Sequence, residues 1–248
     1  MEWSDTALVL RVGRFREADM WVHLLTPHRG LVQAFAFGGS RSRRRFCGCL
    51  DLLNTLSCRA HTTRNGAYLN LEEGTLLRVP RGLRTDYRRL GVAMNCVRFT
   101  EALGVTLDTA EATYALLDNT VLFLDAEAAP QGIFPLQFRL RLACEQGQAP
   151  ALDVCGQCGT AVEEGHFRVD EGQMLCARCA AQLGVGRYHV RLDRQAVAAL
   201  RRVQSEDPEA WGALPLDGES RRQCARAIDG FVQYHLGIAW QEGRFCRV

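Results

Sequence analysis

The chain has no lysine: all thirty basic side chains among its 248 residues are arginine. A phosphate-binding G-x-x-x-x-G-K-[ST] loop is therefore excluded, and neither H-E-x-x-H nor G-x-S-x-G occurs. The six histidines, at 23, 28, 61, 166, 189 and 235, are not paired at helical spacing with one another. Glu72-Glu73 and Glu163-Glu164 are adjacent, so their side chains point in different directions on a strand or helix. These absences favour a binding protein over an enzyme. No apolar run reaches the ~18 residues of a membrane helix, because Asp118 and Asp125 interrupt the greasiest stretch. The opening Met1-Glu2-Trp3-Ser4-Asp5 is acidic, with no apolar h-region before Arg11, unlike a secretory leader. Eleven cysteines are too few for a disulfide scaffold and odd in number. A cytoplasmic protein with reduced thiols and no membrane partner is expected.

What is present is globular: 47% apolar and 23% charged residues, enough chain for two or three small domains. Residues 1–80 read as five short strands: Ala7 to Val12, stopped by Gly13; Met20 to Thr26; Leu31 to Phe37, stopped by Gly38-Gly39; Leu50 to Cys58; and Ala67 to Leu77, after a loop at Asn65-Gly66. Five strands in this length suit a small closed barrel of the OB-fold type. From Pro80 the period becomes helical. Helices are expected over Asp86 to Leu103, over Ala110 to Ala126 behind an Asp108-Thr109 cap, and over Leu136 to Glu145 with Pro130 and Pro135 flanking its start. Arg194 to Gln204 and Glu219 to Leu236 complete the helical set. The expected class is α+β, laid out as a barrel (1–80), a helical domain in two parts (81–150 and 191–248), and a cysteine-bearing insert between them (151–190).

The insert carries the most specific motif, Cys155-x2-Cys158-x17-Cys176-x2-Cys179, with the spacing of a zinc ribbon. Two residues between partners let one tight turn present both sulfurs to a single ion, and Gly159 relaxes the backbone there. Four thiolates close a tetrahedron with no place for a substrate water, so one structural Zn2+ per chain is expected. A redox C-x-x-C pair is the alternative, though two pairs without alternating strand and helix argue against it. His166 lies nearby as a substitute ligand. Cys47-Gly-Cys49 has no second pair beside it and reads as small apolar side chains.

The net charge of +2 gives no reason to expect a polyanion, but its distribution does. Residues 1–80 are net +4, whereas 151–190 are net −2; eight arginines against two acids fall between 11 and 45. The candidate nucleic-acid contacts are Arg11, Arg14 and Arg16 on the first strand and turn, and Arg41, Arg43, Arg44 and Arg45 in the run Ser40 to Phe46. That run follows Gly38-Gly39, in a loop expected to be mobile and able to track a phosphodiester backbone. Phe15, Trp21 or Phe46 could stack a base. The competing readings are a solvated loop and aromatic residues used as core.

The order of these parts resembles the RecO family of bacterial recombination mediators. The likeness runs through Ala7 to Val12, Arg16 to Asp19 leading into Val22 to Thr26, His28 to Gly30, Gly38 to Phe46, Phe138 to Gln146 and Pro150 to Cys158. It implies an N-terminal OB-fold, a helical domain, a zinc site, and binding and annealing of single- and double-stranded DNA. It further implies cooperation with RecR on strands covered by single-strand-binding protein, so that RecA loads. In that setting the C-terminal helix could offer Ile228, Phe231 and Leu236 as a groove, with Arg221, Arg222 and Arg226 meeting the carboxylates of an acidic partner tail; plain core is the alternative. A zinc-ribbon nucleic-acid-binding regulator and an enzyme built on the barrel are the rival functions.

Overall fold

The computed structural model describes residues 2–63, 66–126, 132–184, 186 and 188–248. Asn65 and Pro130, invoked above as a loop and a helix flank, lie outside them. Five strands close the barrel in the order β1-β2-β3-β5-β4: β1 (Glu2–Arg14), β2 (Met20–Thr26), β3 (Gly30–Ala36), β4 (Thr55–Thr62) and β5 (Leu69–Arg78). All neighbours are antiparallel except β3 and β5, which meet in parallel over Ala34↔Leu69 and Phe35↔Asn70. Period-2 alternation puts small and aliphatic side chains inside, with Ala7, Val9, Val22, Leu24, Ala34, Ala36, Leu56, Ala60 and Leu71 all fully buried.

Two strand boundaries depart from expectation. Gly13 does not stop β1, which runs on to Arg14, because the glycine serves the neighbouring strand: a Cβ there would stand 2.4 Å from the Trp21 ring. The fourth strand starts at Thr55, not Leu50, because Leu53 takes φ 60° and the Asn54 amide donates to the Gly48 and Cys49 carbonyls at 3.2 Å.

The chain divides into two compact units, Met1–Leu90 with Gly104–Ala128, and Gly91–Leu103 with Ala129–Val248. In the first, α1 (Arg81–Thr85) follows the barrel, and α3 (Ala110–Asp125) packs on β2 and β3. Three arginines are committed to its architecture. Arg78 pairs with Asp118, Arg84 holds Asp51 and the Asn54 side chain, and Arg89 donates to the carbonyls of Leu124 and Ala126 at the end of α3. Thr109 makes no side-chain cap on α3; its hydroxyl is engaged with Thr106 in a preceding 3-10 turn.

α2 (Tyr87–Leu103) spans the boundary between the units. The second unit is built on α4 (Phe134–Glu145), α6 (Arg194–Ser205) and α7 (Gly218–Leu236), with Phe99, Phe138, Trp211, Cys224 and Phe231 buried. α4 begins before Leu136, because Pro135 sits in its first turn, where a missing N–H costs nothing. Asp193 and Asp217 cap α6 and α7 by accepting from Ala196 N–H (2.8 Å) and Ser220 N–H (2.7 Å). A four-stranded sheet, β6-β8-β7-β9, contains β6 (Ala151–Cys155), β7 (Gly165–Arg168), β8 (Gln173–Leu175) and β9 (His189–Leu192). The short helix α5 (Ala177–Leu183) packs on β7 and β8. A C-terminal hairpin, β10 (Ile238–Gln241) with β11 (Arg244–Arg247), turns through Glu242 and Gly243, both at positive φ. No helix among the described residues is long and apolar enough to cross a membrane.

Candidate nucleic-acid interface and metal centre

The arginine run is anchored at both ends. Gly38 N–H donates to Asp19 at 2.8 Å and Ser40 N–H to the Ala18 carbonyl at 3.1 Å, which ties the loop after β3 to the turn between β1 and β2. Arg41 pairs with Glu17 across the two segments. Arg45 donates to the Phe37 carbonyl at 2.6 Å, and its guanidinium lies 5.2 Å from the centre of the Phe46 ring. Phe46 itself is 2% exposed and plugs the barrel, so it is core and offers no face to a base. The two tied segments carry Arg16 on the one side and Arg41 and Arg45 on the other, while Arg43 and Arg44 are exposed and without an ion pair among the described residues. Arg11 and Arg14 are exposed on β1. Arg11 stands opposite His23, on the wall that carries Trp21.

That wall holds a feature the linear reading did not assemble. Phe15, Phe35, Phe37 and Tyr68 form an edge-to-face cluster, with centroid separations of 5.3 Å (Phe15–Phe35), 6.2 Å (Phe15–Phe37), 5.6 Å (Phe35–Tyr68) and 5.9 Å (Phe37–Tyr68). Phe15 and Tyr68 are each 40% exposed, and Arg16 lies 5.8 Å over the Phe15 ring. Trp21 is the cross-strand partner of both Gly13 and Phe35 and lies over the bare Gly13 backbone. Of the three proposed stacking residues, Phe15 and Trp21 are on this wall. Phe35, Phe37 and Tyr68 were missed, although Gln33-Ala34-Phe35-Ala36-Phe37 alternates small residues with aromatic ones and thereby marks an aromatic outer face.

The opposite polarity is met elsewhere on the barrel. Arg59 is surrounded by Glu2, Glu72 and Glu73, at 2.8, 3.0 and 2.9 Å, and His61 contacts Glu72 at 2.8 Å. The positive excess of the N-terminal segment is thus concentrated around the loop and turn.

In the second unit the four cysteines converge. Cys155 ends β6, Cys158 follows in the turn, Cys176 follows β8, and Cys179 stands in the first turn of α5. Their sulfurs all lie within 4.8 Å of one another, the only such group among the described residues, and Cys158 Sγ is 3.9 Å from Cys176 Sγ. A tetrahedron with metal–sulfur bonds of about 2.3 Å separates its sulfurs by about 3.8 Å, so the four residues fit one thiophilic ion. Gly159 takes φ 71° and returns its N–H to the Cys155 carbonyl at 2.8 Å, closing the turn. Cys179 N–H points at Cys176 Sγ from 3.5 Å. The Thr160 hydroxyl and amide, with the neighbouring thiols, hold the exposed Cys158 thiol down at about 6, whereas desolvation pushes Cys179 up to about 12. Arg178 hydrogen-bonds Cys158 and adds positive charge beside it. His166 is not part of the group; it lies on β7 facing His189, with ring centroids 6.4 Å apart.

Arg201 of α6 fastens this module, donating to the Leu152 and Val162 carbonyls (2.7 and 2.5 Å) while pairing with Asp153. Cys47 and Cys49 do not form a metal pair: Cys47 is exposed, while Cys49 is buried against the Gly74 carbonyl, its thiol pushed up to about 11 by burial. Every cysteine is free of disulfide. On α7, Ile228 and Phe231 are buried core, while Arg221, Arg222 and Arg226 are exposed and Arg222 is paired with Glu219.

A closed barrel with an aromatic outer wall, continued in one chain by a helical unit with a four-thiol module that fits a metal ion, defines a two-part protein. Its relatives are specific. Residues 1–79 match the family of the Recombination protein O N-terminal domain, and residues 84–243 match that of its C-terminal domain. The chain is 47% identical over 254 residues to the DNA repair protein RecO of Nitratidesulfovibrio vulgaris (strain DP4). It is 42% identical over 252 residues to that of Lawsonia intracellularis and 43% identical over 251 residues to that of Oleidesulfovibrio alaskensis. All three alignments cover the whole of both chains. The chain belongs to the RecO family.

Proposed function

We propose that the protein is a non-enzymatic DNA repair and homologous recombination mediator. It binds single- and double-stranded DNA, anneals complementary strands and, with RecR, helps load RecA onto DNA coated with single-strand-binding protein. The observation that carries this reading is the meeting of two loops at one end of the barrel. There Arg16 lies over the Phe15 ring of the Phe15–Phe35–Phe37–Tyr68 cluster, Arg45 donates to the Phe37 carbonyl, Arg41 pairs with Glu17, and Arg43 and Arg44 are exposed on the same loop. Guanidinium groups neutralise phosphates without reading sequence, and aromatic faces accept any base, the combination that generic single-strand binding requires. Arg11 and Arg14 extend the track along β1. Neutralising two backbones at once lowers the repulsion that opposes pairing.

The four-cysteine module holds one structural zinc. With all four donors supplied by protein, the ion has no open position for chemistry; it organises the module. Arg221, Arg222 and Arg226 are the residues through which α7 meets an acidic partner surface, by charge and without an apolar groove. The working location is the cytoplasm, at the nucleoid. The test is annealing of complementary strands precoated with single-strand-binding protein. The wild-type chain accelerates it, and a chain with Arg41, Arg43, Arg44 and Arg45 replaced by Ala does not. Equal rates for the two would remove the barrel end as the site.

A further inference from the structure

The four sulfurs of the cysteine module are alike in chemistry and unlike in surroundings. Cys155 and Cys179 are buried, at 1% and 3% exposure, Cys176 is half-buried, and of the four only Cys158 is exposed. Cys176 Sγ has the Cys179 N–H pointing at it from 3.5 Å, a backbone donor. Cys158 has two side chains beside it as well. Its sulfur lies 3.4 Å from the Thr160 hydroxyl, which donates to it once a metal has displaced the thiol proton. The Arg178 guanidinium supplies a second hydrogen bond. Thr160 follows the first cysteine pair, whereas Arg178 stands inside the second, Cys176-Ala177-Arg178-Cys179, and so reaches across to a sulfur of the other pair. Both residues are exposed, and Arg178 takes part in no ion pair with a carboxylate among the described residues. The Thr160 carbonyl accepts from Cys155 N–H at 2.8 Å, a backbone tie that a change of side chain leaves in place.

We propose that Thr160 and Arg178 are positioning residues for the metal: by donating to the Cys158 thiolate they hold the exposed ligand on the ion and blunt its attack on electrophiles. The proposal rests on the zinc reading above. Four thiolates around one divalent cation leave negative charge in excess, and the lone pairs of a sulfur open to water are its most reactive part. Each hydrogen bond to that sulfur withdraws electron density, and a guanidinium also offsets the charge. Donors that orient a ligand from outside the coordination sphere are worth about ten- to a hundredfold in metal affinity. The charged donor exceeds the neutral one, so Arg178 carries the larger share. Retention of the ion thus depends on two side chains that are not ligands, and both lie within two residues of a cysteine.

The experiment uses the full zinc-loaded chain with Thr160→Val and Arg178→Gln, singly and together, and with Thr160→Ser and Arg178→Lys as conservative variants. Zinc passing to a coloured chelator is followed while N-ethylmaleimide is added. In that reaction the Cys158 sulfur bonds to a carbon of the maleimide double bond, the neighbouring carbon takes a proton from water, and the sulfur leaves the ion. Every variant is expected to load fully in excess zinc. Arg178→Gln then releases the ion about tenfold faster than wild type, and Thr160→Val accelerates release by a smaller factor. Thr160→Ser and Arg178→Lys recover most of the difference, and mass spectrometry finds the first modified residue to be Cys158. In the cobalt-loaded chain, losing the donors moves the sulfur-to-metal charge-transfer band to lower energy while the ligand-field bands, which report tetrahedral geometry, stay in place. Release rates and charge-transfer energies equal to wild type in the double variant would overturn the proposal, as would first modification at Cys176. Ligand-field bands that change along with the release rate would also overturn it, because the substitutions would then act by deforming the module. A wild-type chain that takes up neither zinc nor cobalt would refute the metal reading itself, whereas a loaded chain whose variants match wild type refutes only the role of the two donors.

Discussion

Replacing Arg43 and Arg44 together by Ala tests the barrel interface at its least ambiguous point. Both side chains are exposed, and neither is in an ion pair among the described residues, so their removal takes away charge without dismantling the loop. Each phosphate contact on a single strand contributes about 0.7 to the slope of log affinity against log salt. If both arginines contact phosphate, the slope falls by about 1.4. The two proteins then differ by about 25-fold in affinity at 0.1 M salt and by about threefold at 0.5 M, because counterion release weakens as salt rises. Fluorescence anisotropy of a labelled oligothymidylate from 0.05 to 0.5 M salt resolves this convergence. Two parallel lines would mean that the substitutions act by disturbing the loop; superimposed lines would mean that DNA binds elsewhere. Arg45→Ala is the contrast, because that guanidinium already serves the Phe37 carbonyl and the Phe46 ring. Its loss should lower thermal stability and change the slope less.

Stripping the metal with a chelator under reducing conditions should lower the stability of the helical unit by about 3 kcal/mol or more, the linkage expected of an ion present at a hundred times its Kd or above. Circular dichroism with a metal assay checks this, and a metal-free chain of unchanged melting temperature would refute a structural role. Gly82→Ala, normally stabilising inside a helix, should here cost about 2 kcal/mol in denaturant unfolding, since its Cβ would sit 2.2 Å from the Asp125 carbonyl oxygen. His28 lies 3.0 Å from Asp5, whose hydrogen bond and charge raise the imidazole pKa above 6.5. A raised folded-state pKa means stabilisation that is complete below 6.5 and lost as pH rises through the folded value. His28→Ala should therefore lower the melting temperature at pH 5.5 and make little difference at pH 8.5.

Runs of short apolar segments and the spacing of the cysteines carried the barrel and the metal module openly, because both depend on local periodicity and on ligand geometry. The aromatic wall was harder to see. Phe15, the Phe35–Phe37 pair and Tyr68 come from three separate segments, and the registers Trp21↔Phe35 and Phe35↔Asn70 bring them together once the barrel closes. The mobile loop expected after Gly38 is instead fastened to Asp19 and Ala18, contacts made across the β1–β2 turn that no local pattern announces. The C-terminal hairpin escaped notice because its strands are four residues long and its turn uses Glu-Gly where Asn-Gly would have signalled it. β9 gives no sequence signal for the same reason: four residues cannot display an alternation.

The parallel seam between β6 and β8 registers at only two positions, Ala151↔Gln173 and Cys155↔Met174, with an irregularity between them. The metal ligands therefore do work that backbone pairing leaves undone, and they reach the ion at different times. Seventeen residues separate Cys158 from Cys176, so at about 5–20 residues per second the first pair waits about one to four seconds on the ribosome before the second is made. During that interval two reduced thiols wait with half a coordination sphere. Metal capture by the completed set and oxidation of the first pair are then alternatives open to the chain while it is being synthesised.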